Sequence, residues 1–213
     1  MPRLSSPLLL LACVAATPGH ATSPSFDCAR ADSAATELVC RDGELAALDL
    51  EVGRLFALAK GGPHMTAERR KELVATQRGW IKGRDDCWKS DDLRRCVRDN
   101  YLLRIHELRQ GYADARSQDA SGISKGPLVA DCAGLGALVG ITFIASEPPH
   151  AYLEWLDRFL VMTLAPSGSG SRYAVRIEEG DEKGDYVFWV KGDEARFEQP
   201  GREALECRIA EPG

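Results

Sequence analysis

The chain has 213 residues, 44% apolar and 28% charged, the proportions of an ordinary soluble globular protein, which exclude a disordered or fibrous chain. Asp and Glu number 32 against 27 Lys and Arg, and the net charge of −5 argues against a nucleic-acid binder, whose basic face must meet phosphates. Seven cysteines are many for a reduced cytosolic protein, and no apolar run reaches the roughly 18 residues that cross a membrane.

Met1-Pro2-Arg3 opens the chain, followed by an apolar run from Leu8 to Ala16 and the small residues before Thr22. This is the layout of a secretory signal over residues 1–21, cut after Ala21, and it points to a periplasmic or secreted product. The competing reading is a lipoprotein box, Leu10-Leu11-Ala12-Cys13, with a lipid tether on Cys13 and a membrane-anchored protein. Only Leu8 to Ala12 run unbroken before that cysteine, short of the roughly 7–15 residues of a signal core, so the balance favours soluble export. Without Cys13 six cysteines remain, an even set that reads as disulfides with about 15 pairings open. Sequence distance suggests Cys28–Cys40, Cys87–Cys96 and Cys132–Cys207. No CxxC pair exists and the four histidines are scattered, so neither a metal site nor a cofactor is expected.

Residues 22–110 carry helical periodicity. Leu45, Leu48, Val52, Leu55, Phe56 and Ala59 recur at three- and four-residue spacing, and Gly61-Gly62-Pro63 ends that stripe. Thr66 reads as the cap of a second helix through Leu73, Gln77, Trp80 and Ile81. Ser90, with Asp91 and Asp92 behind it, reads as the cap of a third, whose stripe is Leu93, Val97, Tyr101, Ile105 and Leu108. A Cys87–Cys96 bridge would clamp the last two helices. Trp80 and Tyr101 read as core, and Arg84 as a cap or an internal pair. Residues 111–127 are rich in Ser, Gly, Asp and Ala, a linker composition.

From 128 to 213 the pattern becomes β. Seven short runs rich in branched and aromatic residues, from Leu138–Ala145 to Leu205–Ile209, alternate with turn residues such as Glu147-Pro148-Pro149 and Gly180-Asp181. The fold expected is therefore α+β: a disulfide-clamped helical domain, then an antiparallel β-barrel. Joining Cys132 to Cys207 would tie the first strand to the last and add roughly 4 kcal/mol through loop-closure entropy. The β region holds 15 acids against 8 bases, so its field steers basic partners toward it.

An enzyme is not expected. Nucleophile elbow, Walker loop, H-E-x-x-H and dinucleotide fingerprint are all missing, and no histidine stands in a catalytic context. Two segments stand out instead. Pro166-Ser167-Gly168-Ser169-Gly170-Ser171-Arg172-Tyr173 reads on composition as a flexible hairpin loop, or else as a tip narrow enough to enter another protein's cleft. Phe188-Trp189-Val190-Lys191-Gly192-Asp193-Glu194-Ala195 is a strand with two aromatics that ends in a lysine and a tight turn.

With the flanking Cys132 and Cys207, these segments resemble the MliC family of inhibitors of c-type lysozyme over roughly Asp131 to Ile209. The loop motif is carried by Ser167, Ser169, Gly170, Arg172 and Tyr173, and the second motif by Trp189, Lys191, Gly192, Glu194 and Ala195. The spacer between them is longer than is usual there, with an acidic turn (EEGDEKGD) that reads as an extended hairpin. The helical half is similar to the LprI N-terminal family, itself associated with lysozyme inhibition. Phe26-Asp27-Cys28, the run Cys40 to Asp49, Gln77-Arg78-Gly79-Trp80, Arg84 to Cys87, and Cys96 with Tyr101 carry that likeness.

The resemblance implies an exported inhibitor that binds c-type lysozyme and protects the bacterial wall, with Ser169 and Lys191 entering the cleft. Gly168 and Gly170 would let the loop backbone approach closely, and Ser167, Arg172, Tyr173 and Gly192 would shape the tip or meet the cleft rim. The alternative is a periplasmic interaction or stress-related module with another target, which has no need of a serine and a lysine at adjacent tips.

Overall fold

The computed structural model describes residues 23–116 and 121–211. The expected signal, the Cys13 tether and residues 117–120 of the expected linker lie outside these.

Among the described residues four α-helices precede eight strands. Helix α1 (Ala34–Val39) is closed by a capping box in which Ser33 and Thr36 satisfy each other's orphan backbone donors. This short helix was not foreseen from apolar spacing, since six residues hold less than two turns. Asp42 caps α2 (Gly43–Gly61) and Thr66, as expected, caps α3 (Ala67–Asp85). The cap of α4 (Leu93–Gly111) is Asp92, which accepts from Arg95 N at 2.9 Å; Ser90 stands two residues too early and bonds to Asp92 itself. Cys28–Cys40 staples the N-terminal turn to the end of α1, and Cys87–Cys96 staples the turn after α3 to the first turn of α4.

The strands are β1 (Ser124–Cys132), β2 (Leu138–Ile144), β3 (His150–Trp155), β4 (Arg158–Ala165), β5 (Ser171–Ile177), β6 (Gly184–Lys191), β7 (Glu194–Glu198) and β8 (Leu205–Ala210). Each pairs antiparallel with its neighbours and β8 pairs with β1, which closes an up-and-down barrel without a free edge. Cys132 and Cys207 are direct cross-strand partners at that closure and form the third disulfide. Strand β1 begins inside the segment whose composition reads as a linker; the strand absorbs Gly126-Pro127 as a register shift between Lys125 and Leu128. Ala113–Arg116, in the same segment, form a short 3-10 turn.

Inside the barrel Trp155 and Phe188 meet Phe197 edge to face, above Ile141, Leu153 and Met162. Alternation on β3 sends Ala151, Leu153 and Trp155 inward, while Tyr152 joins the helical core together with Ile144 of β2. The barrel's outer face at β1–β3 is therefore a wall of the helical bundle, with α4 packed along it.

That contact is polar at its centre. Arg109 of α4, 1% exposed, donates to Ser124 Oγ at 2.7 Å and to Gly126 O at 3.0 Å. Glu51 of α2 accepts from Arg54, Ser124 and Ile123. Burial pushes its carboxyl up, but these hydrogen bonds and the Arg54 charge outweigh that and hold it below the usual range. His106 pairs with Thr142 Oγ1 at 2.8 Å, and its Nε2 lies 3.1 Å from a Glu154 carboxylate oxygen, outside hydrogen-bonding angles. His150 pairs with Ser146 at 3.0 Å and lies 3.4 Å from Glu44, which Arg94 holds from the other side.

Candidate functional site: one end of the barrel

In an up-and-down barrel alternate loops share an end. The β4–β5 loop (166–170) and the β6–β7 turn (192–193) therefore emerge together, and the β5–β6 turn (178–183), which holds Lys183, lies at the opposite end. The two sequence motifs meet on neighbouring strands, where Ser171 pairs with Val190, Arg172 with Trp189 and Tyr173 with Phe188. The acidic spacer forms the turn at the far end of this hairpin.

The loop is pinned through its backbone. Ser169 O accepts from Ser167 Oγ at 2.7 Å and from Trp189 Nε1 at 2.8 Å. Gly170 has φ +65°, and a Cβ there would stand 2.4 Å from Val190 O, so only glycine allows this approach. A Cβ on Gly168 would meet nothing within 4 Å, so that glycine leaves the tip slender without being demanded by it. Ser167 to Gly170 are exposed, and the Ser169 hydroxyl makes no hydrogen bond with a described residue.

Lys191 pairs with Glu194 across a two-residue turn whose first member, Gly192, has φ +67°, the signature of the hairpin turn that matches strand twist. Its ammonium is exposed and has no ion pair with a described residue, and Asp193 beside it pairs with Arg208. The end thus presents a free hydroxyl and a free cation on anchored backbone. Asp131, Glu194 and Glu206 line a groove on the outer face of β1, β7 and β8, which keeps the surroundings acidic.

The remaining residues singled out in the sequence divide. Arg172 is half-buried beside Trp189 on the outer face. Tyr173 is 8% exposed and packs inside the barrel against Phe143, ring centroids 5.3 Å apart, at the root of the loop. The residue whose role sequence reasoning missed is Trp189: its place in the motif was legible, but the indole bond to Ser169, 20 residues away, was not. Trp80 and Tyr101 meet edge to face within the bundle, where Tyr101 OH links Arg84 to Asp49. Among the described residues no group of three or more His, Cys, Asp or Glu is placed to hold a metal ion.

Comparison with known proteins gives matches to both parts. Residues 132–206 match the family described as membrane-bound lysozyme-inhibitor of c-type lysozyme, MliC. Over 211 residues the chain is 29% identical to proteins named lipoprotein LprI from Mycobacterium bovis and Mycobacterium tuberculosis, with 97% of each chain covered. Both likenesses noticed in the motifs are thus matched. No solved structure matches the chain.

Proposed function

We propose that this chain inhibits c-type lysozyme by occluding its active-site cleft with the Ser169 loop and Lys191. The match at residues 132–206 and the similarity to LprI support a lysozyme-inhibitor-type function. The observation that carries the finer reading is the pinned loop, with the Ser169 backbone held at two points and its hydroxyl left over.

Glycoside cleavage by lysozyme uses two carboxyl groups, one held protonated and one ionised. A hydroxyl both donates and accepts, so Ser169 can bond such a pair in either protonation state. The Lys191 ammonium then meets the ionised partner as a charge-assisted contact. No bond is made or broken. Because the loop is held before binding, little conformational entropy is lost on entry. The acidic barrel steers a basic lysozyme inward and raises the association rate. An inhibitor of this kind buries roughly 1,600 Å² in total, with most of the affinity in a few central side chains.

The family description and the lipoprotein name of the relatives support a place at the cell envelope. No helix among the described residues is long and apolar enough to cross a membrane.

The test is co-migration of the chain from Thr22 onward with a c-type lysozyme on a sizing column, beside a wall-lysis assay. A stable complex and slowed lysis are expected. Unslowed lysis at excess chain overturns the proposal, and complex formation without inhibition removes cleft occlusion.

A further inference from the structure

Helix α3 holds six cations against three acids. Arg84 turns inward to Tyr101, and Arg69 donates to Gly111 O. Arg70, Lys71, Arg78 and Lys82 are exposed, and none makes an ion pair or hydrogen bond with a described residue. Their spacing places all four on the solvent side of the helix. Between them Ala67, Val74 and Ala75 floor a shallow groove rimmed by Arg70, Lys71 and Arg78. A row of unpaired cations around a low apolar floor matches a plane of anionic headgroups above acyl chains, where apolar side chains enter and cations meet phosphate.

The position of α3 agrees with its chemistry. Helix α4 packs on α3 on one side and on β1–β3 on another, so α3 lies across α4 from the barrel. Ser25 N donates to Asp49 of α2 at 2.6 Å, and Ser25 and Phe26 line a cavity together with Gln77, Trp80 and Ile81, so the chain enters the described fold between α2 and α3. A bilayer on the solvent side of α3 would have the barrel on the other side of α4. The −7 of the β region would be repelled by the same surface.

We propose that the α3 face is a docking surface for an anionic phospholipid bilayer, which leaves the barrel on the far side of α4 from the lipid. The assignment is independent of what the Ser169 loop binds.

The experiment uses the chain from Thr22 onward, which contains every described residue of both cores. It is sedimented with phosphatidylcholine vesicles, with and without phosphatidylglycerol, at low and at high salt. Binding is expected only with phosphatidylglycerol and only at low salt. Each cation close to an anionic surface adds about fivefold, so Arg70→Gln, Lys71→Gln and Arg78→Gln together should weaken partition roughly a hundredfold. A control with Lys125→Gln, Lys183→Gln and Arg202→Gln carries the same change of charge on the barrel and should keep nearly full partition. Retained near-ultraviolet dichroism establishes that the α3 variant is folded, and if it is not, Lys82→Gln alone should cost about fivefold. Equal sedimentation with neutral vesicles, failure to sediment with anionic ones, preference for an added RNA, or an unaffected α3 variant each overturns the proposal.

Discussion

The indole Nε1 of Trp189 on β6 donates to the carbonyl oxygen of Ser169 in the β4–β5 loop at 2.8 Å, joining residues 20 apart in the chain. The bond consumes backbone and spares the hydroxyl. An inhibitory tip needs this division, because a loop that satisfied itself through its own side chain would have nothing left to offer a cleft.

Trp189→Phe removes the donor and keeps most of the ring. A net hydrogen bond of about 1 kcal/mol corresponds to roughly fivefold, and inhibition constants from a lysis assay should rise by about that factor. The melting temperature should move little, since Trp189 is 38% exposed.

The two loop glycines should behave differently. Gly170→Ala places a Cβ 2.4 Å from Val190 O at φ +65°, so the loop must leave β6; stability should fall by about 1–3 kcal/mol and inhibition with it. Gly168→Ala meets open space and should change denaturant midpoints by less than about 0.5 kcal/mol. Chemical denaturation of both variants checks the contrast.

Arg109 and Glu51 join the helical bundle to the barrel from buried positions. Arg109→Leu leaves Glu51 with Arg54 but strips Ser124 and Gly126 of their donor. A cost of about 3–5 kcal/mol is expected, as for other broken buried pairs. Wild-type chain should unfold in one transition by intrinsic fluorescence, and the variant in two, with the barrel and bundle uncoupled.

Stability should fall as the medium is acidified from about pH 6.5. Burial pushes His106 down to about 4, and burial with the Arg98 and Arg94 charges pushes His150 down to about 4. Below about pH 6.5 the unfolded chain binds protons that the folded chain refuses, at up to about 1.4 kcal/mol per pH unit for each imidazole. Glu44, facing His150, and Glu154, facing His106, have carboxyls raised by burial, so the folded chain takes up protons there and flattens the slope at the acid end. Urea midpoints measured from pH 7 to 5 should decline in the wild type and stay level in a His106→Gln, His150→Gln variant. A level wild-type profile contradicts this account of the contact.

Helical spacing around Leu45–Ala59 was legible because the helix is long enough to show its period, and the strands from Leu138 onward because runs of branched and aromatic residues are bounded by turn residues. Helix α1 and strand β1 were not, one for shortness and the other because it starts inside the stretch of linker composition. The all-buried stretch His150–Tyr152 hid the docking of the bundle: both faces of β3 are covered, so no polar stripe marks the side that meets α4. At the site, Ser169, Gly170 and Lys191 were legible as motif positions, but the bonds that hold them depend on cross-strand register, which spacing alone does not set.

The most direct measurement compares Ser169→Ala, Lys191→Ala and Lys183→Ala as inhibitors of wall digestion by a c-type lysozyme. Ser169 and Lys191 emerge at one barrel end and Lys183 at the other. The account predicts at least about tenfold weaker inhibition for each of the first two, as for residues central to an interface, and wild-type inhibition for the third. Equal inhibition by all three would contradict it.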